Sequence, residues 1–92
     1  MNLIREPGRI YAKDQNGRIV AEVTFPQIDE KTADIRHTFV DESLRGQGTA
    51  GLLMRETART LRNEGQKAVL TCSYAQKWFS EHPEERDVVK PS

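Results

Sequence analysis

A strand-like run ends at Val40, an eight-residue loop Asp41-Glu42-Ser43-Leu44-Arg45-Gly46-Gln47-Gly48 follows, and an amphipathic helix opens at Thr49 without a further linker. This stretch constrains the chain more than any other. Glycines let a ligand approach the backbone with no side chain in the way, and the first N–H groups of a helix have no intrahelical acceptor. The helix dipole favours negative charge at that end, so a strand, a loop with one arginine and two glycines, and a helix start read as a place to hold a phosphate.

The flanking sequence predicts the rest of the fold. Arg9–Lys13 and Arg18–Phe25 are strand-like, and the Asn16-Gly17 pair between them is a strong hairpin signal, so the two strands should run antiparallel. Residues 26–31 form a turn region opened by Pro26, and Ala33–Val40 alternates as one third strand, with Ile35, His37 and Phe39 on one face and Asp34, Arg36 and Thr38 on the other. From Thr49 to about Glu64, Ala50, Leu53, Met54, Thr57, Ala58 and Leu61 recur at helical spacing. Lys67–Cys72 reads as a strand buried on both faces, and Ser73-Tyr74-Ala75-Gln76 has the form of a capping box that starts a second, short helix ended by Pro83. The expected fold class is α/β, an antiparallel meander followed by a β-α-β-α unit. Residues 1–92 are expected to form one domain, with a core over about 9–80 and an exposed tail over 81–92 in which Val88 and Val89 form an edge strand or a docking segment.

Composition narrows the function. Lys plus Arg and Asp plus Glu each number 14, which removes the broad positive field that nucleic-acid and anionic-membrane binders use. The apolar runs are short and no secretory pattern opens the chain, so a cytoplasmic protein with no membrane or nucleic-acid partner is expected. Cys72 is the only cysteine and the two histidines, His37 and His82, are far apart, so neither a disulfide nor a metal site is expected.

Gly46-Gln47-Gly48-Thr49-Ala50-Gly51 formally fits the dinucleotide fingerprint G-x-G-x-x-G. Five residues separate it from the strand, no acidic residue closes the next strand, and a meander precedes it where a βαβ unit should stand. A Walker loop fails for want of Gly-Lys-Ser/Thr. The pattern Arg45-x-x-Gly48-x-Ala50, with Gly46 as an additional glycine, instead resembles the pyrophosphate loop of the GNAT acyltransferase superfamily, and the chain is similar to its small single-domain members over residues 9–80, where a Ser-Leu-Arg-Gly-Gln-Gly run and a Thr-Cys-Ser-Tyr segment occur together. The resemblance implies an N-acetyltransferase that uses acetyl-CoA, or coenzyme A, with an amine acceptor it does not identify and with no metal. It implies a coenzyme site made by Val40, Arg45, Gly46, Gln47, Gly48, Thr49, Ala50 and Ser73, the backbone N–H groups of the loop meeting the pyrophosphate. The other reading is a non-catalytic acyl-CoA-binding or protein-interaction module that retains the loop.

Three side chains are candidates for chemistry. Cys72, where a strand meets a helix start, is either an acyl-carrying nucleophile or a small core residue. Tyr74 stands near where the superfamily places a general acid for the departing thiolate, and is otherwise a wall of the cleft. His37 is a candidate base on the face of Ile35 and Phe39, where a lone histidine is otherwise a core residue. Glu22 is a further base candidate acting through water. Ser73 doubles as the helix N-cap, and Lys77 or Arg55 is a candidate for the coenzyme 3'-phosphate.

Overall fold

The structure, a computed structural model, describes residues 1–91 and is α/β, with two small sheets and two helices. Strands β1 (Ile4–Glu6), β2 (Arg9–Lys13), β3 (Ile19–Thr24) and β6 (His37–Val40) form an antiparallel sheet in the order β1-β2-β3-β6. Strands β4 (Gln27–Asp29), β5 (Thr32–Ile35) and β7 (Lys67–Leu70) form the second, in which β5 and β7 are parallel. Helix α1 (Thr49–Asn63) makes the crossover between them, and α2 (Ser73–Glu81) follows β7. Residues 1–8 and the turn region each contain a three-residue strand, β1 and β4, beyond the strands expected from the sequence.

The single third strand expected over 33–40 is in fact two. Arg36 donates its backbone N–H to Thr24 O at 3.0 Å while His37 also pairs with Thr24, so two residues face one and the strand carries a bulge. Before the bulge the chain pairs with β7, and after it with β3. The extra residue also inverts the side-chain alternation. Ile35 is fully buried, but Phe39 is 39% exposed and His37 is exposed, so the expected common face does not exist.

Helix α1 buries Leu53, Met54, Thr57, Ala58 and Leu61 as its spacing predicts, with Thr49 in place of Ala50 at the first turn. Thr57 is tolerated in the core because its hydroxyl donates to Leu53 O at 2.8 Å. These side chains meet Ile10, Ala12, Ala21, Val23 and Ile35 from the sheets and Phe79 from α2. Strand β7 is less enclosed than its apolar sequence suggests, since Ala68 alone is fully buried. The tail is not free. A 3-10 segment, Pro83–Val88, lies against α1, with Val88 buried, Arg62 paired to Glu85 and Asp87, and the Lys90 N–H donating to Ala68 O at 2.8 Å. Ser92, the last residue of the expected tail, lies outside the described residues.

Candidate active site

The glycine loop is built by local capping. The Asp41 N–H donates to Val20 O at 2.7 Å, and its carboxylate accepts from the Ser43 N–H at 3.0 Å and the Ser43 hydroxyl at 2.6 Å, which caps the 3-10 turn Glu42–Leu44. Those two bonds, with Arg18 nearby, hold the Asp41 carboxyl below the ordinary carboxylate value. Gly46 and Gly48 then take φ of 82° and 74°, the left-handed region that a side chain disfavours. Gly48 is the N-cap of α1 and has no side chain to offer, so the N–H groups of the first turn stay uncommitted until Leu52 donates to Gly48 O at 3.0 Å.

A cavity of about 250 Å³ lies over this helix start, lined by Val40, Leu44, Arg45, Gly46, Gly48, Thr49, Ala50, Gly51 and Tyr74. Six of the eight residues expected at a coenzyme site therefore line one space; Gln47 and Ser73 do not. Leu44 and Gly51 are additions; a Cβ at Gly51 would stand 3.3 Å from the Trp78 indole nitrogen, a tight contact between the two helices. Among the described residues the Arg45 guanidinium has no ion-pair partner. The expected capping box is absent. Cys72 is the N-cap of α2 with no side-chain bond, and the Gln76 amide donates to Leu70 O at 2.8 Å.

The parting of the two sheets creates a gap beside this cavity. Strands β5 and β7 pair as far as Ile35 and Leu70, and Ile35 O then accepts both the Thr71 N–H at 3.1 Å and the Cys72 N–H at 3.0 Å. Beyond that point β6 follows β3 and leaves β7. Because Asp41 bonds to Val20, alternation along the antiparallel ladder turns the N–H and C=O groups of Val40 and Thr38 away from β3, toward the gap. Across it the half-buried Cys72 places Sγ 3.5 Å from Thr38 Oγ1. Tyr74 lines the neighbouring cavity, and burial first, then Glu81 and Cys72, raises its pKa.

His37 does not join this group. It lies in the row Arg9–Thr24–His37, whereas Thr38 lies in the row Ile10–Val23–Thr38 on the opposite, α1-facing side of the sheet. Glu22 shares the outer face with His37 and is engaged by Arg9 in an ion pair. Arg55 is paired to Glu85 and stands over Trp78, and Lys77 is exposed. A larger depression of about 720 Å³ lies at the other end of α1, among Gly8, Phe25, Gln27, Thr60, Glu64 and Gln66. No three metal-ligating side chains cluster among the described residues, and no helix among them is long and apolar enough to cross a membrane.

Residues 9–88 match the family described as GCN5-related N-acetyl-transferase. Over 63 residues the chain is 36% identical to Protein NATD1 of Xenopus tropicalis, a stretch covering 68% of this chain and 58% of the frog protein. Its identity to human Protein NATD1 is 33% over 68% of this chain and 56% of that one, so the chain spans less than two thirds of the length of these relatives. The solution structure of a GCN5-like protein from Staphylococcus aureus superposes with a TM-score of 0.82 at 24% identity, covering 99% of this chain and 89% of that one. A GNAT family N-acetyltransferase from Escherichia coli in complex with CoA gives a TM-score of 0.59 at 28% identity, over 67% of this chain and 38% of that one. One from Elizabethkingia anophelis with acetyl-CoA bound gives 0.61 at 23% identity, over 82% and 51%.

Proposed function

The chain belongs to the GCN5-related N-acetyltransferase family, and from that premise we propose that it binds acetyl-CoA on the Val40–Gly51 loop and transfers the acetyl group to an amine. The observation that carries the reading is the helix start of α1. A left-handed Gly48 with no capping side chain leaves the first-turn N–H groups facing a cavity beside an unpaired arginine, which suits a pyrophosphate. The two relatives with CoA or acetyl-CoA bound supply the ligand class.

The pantetheine arm would run from the loop into the gap between β6 and Cys72. The amine nitrogen attacks the thioester carbonyl carbon, and the developing oxyanion is met by the backbone N–H of Val40. The C–S bond then breaks, the thiolate takes the proton of the Tyr74 hydroxyl, and the ammonium nitrogen gives up its proton to water, from which the tyrosine oxygen is reprotonated. Cys72 borders the reacting atoms, and a transient acetyl group on its Sγ is the alternative to direct transfer.

The test is a thermal-shift titration with acetyl-CoA, CoA and NAD, followed by intact mass. A ligand specific for the folded state, at a hundred times its dissociation constant, stabilises by about 2.7 kcal/mol, a shift of roughly 10 °C or more in a domain this size. Shifts with acetyl-CoA and CoA but not NAD are expected, and Gly48→Val should remove them, since a β-branched residue resists positive φ. A variant that folds and binds unchanged rules the loop out. Acetyl mass on the wild type that is missing from Cys72→Ala marks the thiol as carrier; coenzyme binding with no turnover on a broad amine panel makes the protein a binding module.

A further inference from the structure

Among the described residues, Asp34 is the one buried carboxylate, and the acetyl-transfer reading leaves it unused. Its residue is 6% exposed, and it stands one position before the last paired residue of β5. One oxygen accepts the Thr71 hydroxyl at 2.7 Å, and the other accepts both Nε and Nη2 of Arg36 at 3.1 Å each. Arg36 itself is 58% exposed. Its Nη1 has no partner among the described residues, so one edge of the guanidinium is clamped and the other is open.

The position of this pair is what gives it meaning. Arg36 is the bulge residue, the first past the pairing of β5 with β7, so it stands where the sheets begin to part. Ala33 and Ile35 face the core, which puts Asp34 and Arg36 on the outer face. Val40 and Thr38, which border the coenzyme cavity and the gap, face the α1 side. A coenzyme held from the α1 side leaves the outer face as the approach for the second substrate. That face offers the exposed Phe39 and, beside it, a cluster in which the single cation, Arg9, is already engaged by two carboxylates, Glu22 and Glu6. Arg36 is the cation there with an unused donor edge at the gap.

We propose that Arg36, held in place by buried Asp34, selects acceptors that carry an anionic group, a carboxylate in the first instance, on the same molecule as the amine. This rests on the acetyl-transfer reading of the site. A guanidinium fixed through two of its nitrogens loses less side-chain freedom on binding and presents its remaining N–H groups in a plane that suits a carboxylate. The carboxylate stays on the outer face while the amine reaches into the gap.

The experiment follows NMR shifts of the 15N-labelled protein, saturated with CoA, on titration with two matched series: glycine, β-alanine and γ-aminobutyrate, and the alkylamines methylamine, ethylamine and n-propylamine. At least one amino acid should bind about tenfold more tightly than its alkylamine, as a charge-assisted hydrogen bond allows. The side-chain Nε signal of Arg36 should move with it. Arg36→Gln should bring the ratio between the series to about one. Because that change leaves Asp34 without its cation, the double variant Asp34→Asn, Arg36→Gln is measured in parallel; its amide oxygen can still accept from Thr71, and it should show the same collapse. Equal binding of the two series to the wild type, or a preference that survives either folded variant, overturns the proposal. If CoA itself produces no shift, the coenzyme reading fails, and the same pairwise comparison on the free protein still decides whether Arg36 reads a carboxylate.

Discussion

Burial raises the Tyr74 pKa above its ordinary value, and the Glu81 carboxylate and Cys72 raise it further. The hydroxyl therefore keeps its proton throughout the neutral range, the state a donor to a departing thiolate requires. The tyrosine's contribution to the rate is present at low and neutral pH and is lost as pH rises through the raised value, while the acid limb belongs to protonation of the amine. Tyr74→Phe should lower kcat roughly a hundredfold while leaving the CoA melting shift in place, and should remove the alkaline limb of the pH–rate profile. An unchanged kcat makes Tyr74 a wall of the cleft. The loop residues around it were readable in the sequence because glycine conformation and helix capping are local properties. His37 was not, because its direction depends on one bulged residue, Arg36, whose cause lies in the pairing of β5 with a strand 35 residues further along the chain.

At the scale of elements, the segment Pro83–Val88 acts as a strap across α1 and β7. Val88 is 2% exposed and fills core space, so Val88→Ala should cost about 2 kcal/mol, seen as a fall of roughly 10 °C in Tm. A fall of a degree or less would mean that the strap only lies on the surface. Arg62 holds the Asp87 carboxyl below its ordinary value, so this contribution is present at neutral pH and is lost as pH falls below about 4, through the folded-state value. Chemical unfolding midpoints should therefore separate wild type from Asp87→Asn at pH 7 and converge in acid. The sequence showed α1 through its apolar spacing, but not the strap. Glu84, Glu85 and the rest of the tail read as exposed until Arg55 and Arg62 are seen opposite Glu85 and Asp87.

Across the whole molecule, the fold class and the order of the main elements followed from patterning, while the division into two sheets did not, since it is set by which neighbours a strand finds in space. That division has a consequence for the order in which the protein gains structure. Pairings among β1, β2 and β3 join chain neighbours through short turns, whereas β5 meets β7 only after the whole of α1 has been traversed. Local pairings close with little loss of chain entropy and distant ones with more, so the first sheet should behave as one cooperative unit and β7 with α2 as a later, weaker one. The gap beside Cys72 is the seam between those units. Native-state amide exchange should show lower opening free energies in β7 than in β2 and β3, and CoA, by touching both sides of the seam, should narrow the difference. Uniform protection without ligand would mean that the two sheets open as one.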